Sequence, residues 1–273
     1  MSASPEIGNS IDAGGIVTNY HDLGNGAPVL FLHGSGPGVS GWANWRLVLP
    51  EVSKSLRAIS PDIVGFGFTE RPENISYSLD GWVKHAIDFL DALEIEKTHL
   101  VGNSFGGALS LALAIRAPER VDKLILMGAA GVEFELTDGL DFAWGYTPSL
   151  ENMRKLLDLF AYDRGLVTDE LAQLRYEASM RPGIQEAYAA MFPAPRQNGV
   201  RELASDEAAI KAIDKPTLII HGREDRIIPL SSSLKLFELI DDAEIHLFGR
   251  CGHWTQIEHN QRFNQLVIDF LTD

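Results

Sequence analysis

Short β-rich runs alternate with helical patterns along most of this chain, and that alternation constrains its fold more than any other feature. Ile16–Tyr20 and Val29–Leu32 read as strands separated by a Gly24-Asn25-Gly26 turn. Ala58–Ser60, Thr98–Val101 and Val121–Met127 read as further strands, the last (VDKLILM) apolar enough to be buried on both faces. Between them, Ser78 is placed to cap a helix carrying Val83, Ala86, Ile87, Leu90 and Leu93 at three- and four-residue spacing. A second, apolar helix runs from Ser104 to Ala117 and ends near Pro118. Strands alternating with helices require βαβ crossovers, so the expected class is α/β with a mostly parallel central sheet.

The pattern breaks after Gly131. From about Phe134 to Val200 no strand is convincing, while Leu150–Tyr162 and Thr168–Met180 read as helices, Thr168 capping the second. The alternation then resumes with strands at Thr217–His221 and Ile245–Phe248 and helices at Ser231–Ile240 and Phe263–Leu271. A helical block inserted into a regular α/β chain is most simply a lid over the carboxyl edge of the sheet, where such folds place their sites. The expected organisation is a core of 1–133 and 204–273 with a helical lid over 134–203.

Composition narrows the partners. The chain has 273 residues, with 23 Lys+Arg against 38 Asp+Glu and a formal charge of −15. That sign argues against nucleic acid and against an anionic membrane surface. It leaves small anions open, because one local arginine reverses the field inside a pocket. The single cysteine, Cys251, excludes an internal disulfide framework and a cysteine-based zinc cluster. The N-terminal stretch MSASPEIGNSIDAGG has neither a basic nor an apolar leader region, and no apolar run approaches ~18–20 residues, so the expected compartment is the cytoplasm.

The chemistry centres on Gly102-Asn103-Ser104-Phe105-Gly106. This G-x-S-x-G follows a predicted strand and opens a predicted helix, the setting of a nucleophile elbow. There the glycines permit a sharp turn that lifts Ser104 off the sheet, and the helix N-terminus faces a developing oxyanion. A glycine-rich helix start with a capping serine is the plainer alternative. A serine hydroxyl needs a general base, and the base needs an orienting carboxylate. Asp225 lies just past the strand TLIIHG and His253 just past the strand EIHLFG. The order Ser104, Asp225, His253 is that of an α/β-hydrolase triad. His21, His85, His99, His246 and His259 lie in or beside predicted elements, and His221 at a strand end is placed to support the triad from behind. Cys251, close to His253, is expected to pack as a small apolar group.

The segment His33-Gly34-Ser35-Gly36-Pro37-Gly38 follows the strand VLFL. Its glycines let backbone N–H groups approach a ligand. The amides of Ser35 and Phe105 are therefore assigned to the oxyanion hole, with His33 buttressing the loop. No metal-ligand spacing occurs among the histidines and no G-x-G-x-x-G loop is present, so no metal, flavin or nucleotide cofactor is expected.

HGSGPG, Asn44-Trp45, PDIVGFGFTERP, VGNSFGG, MGAAG, WGYTPS, LRYEAS, HGREDRIIPL and GRCGHWTQIE together resemble the meta-cleavage product hydrolases over almost the whole chain. The closest resemblance is to members handling 2-hydroxy-6-oxo-hexa-2,4-dienoates with small groups on C6. It implies hydrolysis of a carbon–carbon bond in a substrate with a carboxylate and enol at one end and a ketone at the other. Arg175, within LRYEAS, matches the arginine that holds the carboxylate end, although a surface helix arginine is the plainer reading of that position. Asn44 and Asn103 match asparagines lining the polar part of the pocket, and Trp254 matches the tryptophan beside the catalytic histidine. The resemblance to the small-group members suggests a distal pocket bounded by Ala130, Leu140, Trp144, Val200, Ile227, Ile228 and Trp254. A small-molecule dienoate and a homo-oligomer, dimer or higher, are the expected partners. A carboxylesterase or lactonase on the same triad is the enzymatic alternative, and a non-catalytic ligand receptor the alternative of another class.

Overall fold

The computed structural model describes residues 4–73 and 75–273; residues 1–3 of the N-terminal stretch analysed above and Asn74 lie outside the described residues. Eight strands form one sheet: β1 Asn9–Asp12, β2 Val17–Leu23, β3 Pro28–Leu32, β4 Arg57–Pro61, β5 Thr98–Asn103, β6 Val121–Met127, β7 Thr217–Gly222 and β8 Ala243–Phe248. Their order is β1-β2-β4-β3-β5-β6-β7-β8. From β4 through β8 every pairing is parallel. β1–β2 and β2–β4 are antiparallel. The helices in the first half are α1 Gly41–Trp45, α2 Leu49–Val52, α3 Leu79–Ala92 and α4 Phe105–Arg116. Between β6 and β7 lie α5 Asp138–Trp144, α6 Leu150–Phe160, α7 Asp169–Ser179, α8 Ile184–Met191, α9 Gln197–Leu203 and α10 Glu207–Lys211. The chain closes with α11 Leu230–Leu239, α12 Thr255–Glu258 and α13 Asn260–Thr272.

The central strands β3 to β7 are largely buried on both faces, and their side chains divide by the two-residue period of a pleated strand. Leu30, Leu32, Ile59, Leu100, Leu124, Leu126 and Ile219 join a core with α3, α4 and the helices between β6 and β7. Val29, Phe31, Ala58, Val101, Ile125, Met127, Leu218 and Ile220 join a second core with Trp45, Leu49, Phe263 and Val267. Each fully buried Val, Leu or Ile contributes roughly 1.5–3 kcal/mol. Two such layers hold the strand ends rigidly, and the candidate site is built from loops at those ends.

Two features differ from the sequence expectation. The Gly24–Gly26 turn does connect β2 to β3, but the two strands do not pair, because β4 lies between them. β1 carries NSID, mostly exposed, and no apolar alternation announces it. Among the described residues no helix is long and apolar enough to cross a membrane.

Candidate active site

Ser104 sits at the turn between β5 and α4 with φ +55° and ψ −114°, a strained conformation for a residue with a side chain. Backbone bonds on both sides hold it there. Its N–H donates to the Met127 carbonyl at 2.9 Å, and its own carbonyl accepts from Gly107 at 2.9 Å and from Ala130 at 3.1 Å. Gly106 is required by close approach: a Cβ there would lie 2.2 Å from the Leu32 carbonyl oxygen. The elbow thus wedges the start of α4 against the end of β3.

Asp225 and His253 follow the adjacent strands β7 and β8, so the parallel register delivers them to the same edge. The Nδ1 atom of His253 lies 2.7 Å from Asp225 Oδ2. The other carboxylate oxygen, Oδ1, accepts from the Ile227 and Ile228 amides at 2.7 and 3.0 Å. Burial alone would raise the Asp225 pKa, but His253, His221 and the Ile227 amide together hold its carboxyl below the usual carboxylate range. His221 stands 3.5 Å from the same Oδ2, fixed behind it by Ser233 Oγ at 2.7 Å and the Ile228 carbonyl at 3.2 Å. Gly128, at φ +48°, passes beneath this pair; a Cβ there would meet His253 Nδ1 at 3.2 Å and Asp225 Oδ2 at 3.3 Å.

Ser104 and His253 line one cavity of about 290 Å³, together with Gly34, Ser35, Asn44, Asn103, Arg175, Ile227 and Trp254. No hydrogen bond joins Ser104 to His253 among the described residues; in hydrolases without substrate this contact is often long. Neither the Ser35 nor the Phe105 amide is paired with a protein acceptor among the described residues. His33 is buried and braces the loop as the sequence suggests. Its Nδ1 lies 2.8 Å from the Gly34 carbonyl, and its Nε2 accepts from the Ile63 amide at 3.0 Å. Burial lowers its pKa to about 4, so the ring is neutral at physiological pH. Cys251 is buried, and burial pushes its thiol pKa up, which removes it as a thiolate nucleophile.

The polar end of the cavity is more elaborate than the sequence suggests. Arg175, from α7, donates to Glu6 Oε1 at 3.3 Å and to the Gly38 carbonyl at 2.5 Å. Burial draws the Arg175 pKa down, and Glu6 opposes that shift. Glu6 Oε2 in turn accepts from Ser40 Oγ at 2.6 Å. Arg46, just beyond α1, lines the same cavity. Glu6 and Arg46 escaped the sequence reading, because nothing local marks a carboxylate whose partner lies 169 residues away.

The apolar wall also differs. Of the seven residues expected to bound it, Ile227 and Trp254 line the cavity. Ala130, Leu140, Trp144, Val200 and Ile228 are buried in the core outside it. Trp144 illustrates the cause: its ring stacks on Phe192 at 4.6 Å and its indole N–H donates to Ser35 Oγ at 3.0 Å, which turns it beneath the Ser35 loop. The wall is instead supplied by Met153, Leu156, Leu157 and Phe160 of α6, with Leu171. Phe160 stacks on both His253 and Trp254, and its carbonyl accepts the His253 amide at 2.8 Å. Glu258 ties the same region together, accepting from the Tyr162, Asp163 and Gly252 amides.

Comparison with known proteins sets this geometry in context. Residues 27–260 match the family described as the alpha/beta hydrolase fold. A 2-hydroxymuconate semialdehyde hydrolase of Pseudomonas sp. strain CF600 is 63% identical over 270 residues, spanning 99% of this chain and 95% of that protein. A 2-hydroxy-6-oxo-2,4-heptadienoate hydrolase of Pseudomonas putida strain F1 is 62% identical, spanning 99% and 98%. A solved structure of a mutant meta-cleavage product hydrolase from Pseudomonas fluorescens IP01, complexed with acetates, superposes with a TM-score of 0.98 at 63% identity, over 98% of this chain and 99% of that one. The 2-hydroxy-6-oxo-6-phenylhexa-2,4-dienoate hydrolase of Rhodococcus sp. strain RHA1 reaches a TM-score of 0.91 at 30% identity, over 98% and 99%.

Proposed function

The chain belongs to the α/β-hydrolase family and, within it, to the meta-cleavage product hydrolases; from that premise we propose that it hydrolyses the C5–C6 bond of 2-hydroxy-6-oxo-hexa-2,4-dienoates with small groups on C6. One observation carries the reading at the level of residues: Ser104, His253 and Arg175 all line a single cavity. The first two supply hydrolytic chemistry, and the third supplies a reason for an anionic substrate to enter. A simple ester would present no carboxylate to the arginines that line this cavity, Arg175 and Arg46.

The reaction has two halves. Proton transfer to C5 converts the dienol to its keto form, so that the departing carbon becomes a stabilised dienolate. Water then adds at C6 by way of Ser104, and C5–C6 breaks to give a carboxylic acid and 2-hydroxypenta-2,4-dienoate. Both an acyl-enzyme and a gem-diol route use these residues. His253 moves protons in each half, while Asp225 fixes its tautomer and stabilises the imidazolium. The unpaired Ser35 and Phe105 amides receive the C6 oxyanion, a contribution worth roughly 2.7–4 kcal/mol per donor in comparable sites. The helices over 134–203 act as the lid that excludes water.

Decay of the dienoate absorbance, measured beside hydrolysis of an aryl ester, tests this. The expected result is a kcat/KM for a 6-alkyl dienoate well above that for the ester. Ester hydrolysis without dienoate turnover would replace the reading with that of an esterase.

A further inference from the structure

The anion-facing end of the cavity holds more positive charge than one substrate-reading arginine provides. Arg175 is heavily committed, with one Nη on Glu6 and the other on the Gly38 carbonyl. Arg181 also donates to the Gly38 carbonyl, at 2.9 Å, and stands 3.8 Å from Glu6. One carboxylate, Glu6, therefore serves two guanidinium groups already. Arg46, at the end of α1, lines the same cavity. Its Nη1 donates to the Ala43 carbonyl at 2.7 Å, and among the described residues its remaining donors have no protein acceptor. Two positions earlier, Asn44 holds its Nδ2 buried and without a partner among the described residues, while its Oδ1 accepts from the Gly34 amide. The Arg46 pKa is lowered by burial and by the charge of Arg175, and Glu6 opposes this only in part. Two guanidinium groups sharing one cavity with one carboxylate partner carry excess positive charge, which a ligand carboxylate would offset.

Resting on the functional reading above, we infer that Arg46 is a second substrate-binding arginine, which grips the dienoate carboxylate from the α1 side while Glu6 holds Arg175 in place on the lid side. A carboxylate between two guanidinium groups accepts a bidentate fork from one and a further charge-assisted bond from the other. The lid helix α7 and the core helix α1 are then bridged by the substrate itself.

Calorimetric titration of hexa-2,4-dienoate, and of its neutral amide, into the full chain tests this without requiring turnover. The wild type binds the carboxylate more tightly than the amide. Arg46→Gln, which retains a donor for the Ala43 carbonyl, weakens carboxylate binding about 10- to 100-fold and leaves the amide unchanged. Arg46→Lys restores part of the loss. An equal loss for both ligands would mean that Arg46 merely shapes α1, and no loss for either, or a wild type that does not prefer the carboxylate, would overturn the inference. Turnover of the 6-alkyl dienoate by the wild type, followed separately, reports on the functional reading alone.

Discussion

The two halves of the cavity are held in place by different kinds of contact. Ser104, Asp225 and His253 sit on loops directly after β5, β7 and β8, and the ladders of a parallel sheet fix those strand ends to one another. The arginine-lined half depends on side chains from distant segments: Arg46 after α1 and Arg175 on α7 line it, and Glu6, before β1, holds Arg175. Trp144 of α5 reaches Ser35 across 109 residues of sequence. The first half is rigid because its backbone is paired. The second is set by charge and by packing of the helices between β6 and β7. On the proposed reading, chemistry that tolerates little displacement is built on the sheet, and recognition is built on side chains brought together from distant segments.

Breaking the sheet-borne half should have the largest effect. Ser104→Ala is expected to lower turnover of dienoate and aryl ester alike by at least ~10³-fold, with an unchanged circular dichroism spectrum. A purified variant close to the wild-type rate on either substrate would remove Ser104 from its assigned role. Slow residual ketonisation would not, since that half needs only binding and His253.

Breaking the arginine-lined half should separate the two substrates. Arg175→Ala is expected to reduce kcat/KM for the dienoate by ~10- to 100-fold and to change that for an aryl ester little. Equal losses on both would give Arg175 a purely structural role, bracing α7 against Gly38.

A third, smaller effect concerns the group on C6. The proposed preference for small groups and an apolar wall from α6 together predict a kcat/KM for 6-alkyl dienoates at least ~10-fold above that for the 6-phenyl substrate. Leu157→Ala removes part of that wall and should narrow the ratio. A 6-phenyl substrate that is equal or better in the wild type would contradict this picture of the pocket and leave the triad intact.

The smallest effect is that of two buried histidines outside the cavity lining, His33 and His85, which act on the fold. Burial lowers the pKa of His33 to about 4 and that of His85 to about 4, whereas the unfolded chain protonates them near 6.5. Between those values the unfolded state binds more protons, so stability falls as pH drops from about 6.5 toward 4. Asp62, raised to about 6 by burial, takes up a proton in the folded state over part of that range and offsets one of the two. His85→Gln should flatten the pH dependence of denaturant unfolding by up to about 1.4 kcal/mol per pH unit and leave turnover at neutral pH unchanged. An unaltered slope would show that His85 titrates normally.

The contrast between the halves also explains what could be read from sequence. The elbow, Asp225 and His253 are legible because each follows a short apolar strand, and the loop after such a strand in an α/β fold points to one edge. Ser78 and Thr168 are legible as caps because capping is local, and each accepts from the amide three residues on. β1 is not, since an exposed edge strand needs no apolar face. Nor was the pairing of β2 with β4, which depends on how the chain returns after a turn. Glu6, Arg46, Phe160 and Glu258 look like ordinary residues in sequence and acquire their places only through long-range contacts. Trp144 is expected on the cavity wall and lies outside it, because its indole N–H bonds to Ser35 Oγ, a contact that sequence does not announce.

Product analysis in H₂¹⁸O tests carbon–carbon bond hydrolysis most directly. With a 6-methyl dienoate, each mole consumed should yield one mole of acetate carrying ¹⁸O and one mole of 2-hydroxypenta-2,4-dienoate. Loss of the dienoate colour without labelled acetate would mean that the protein tautomerises its substrate and does not cleave it.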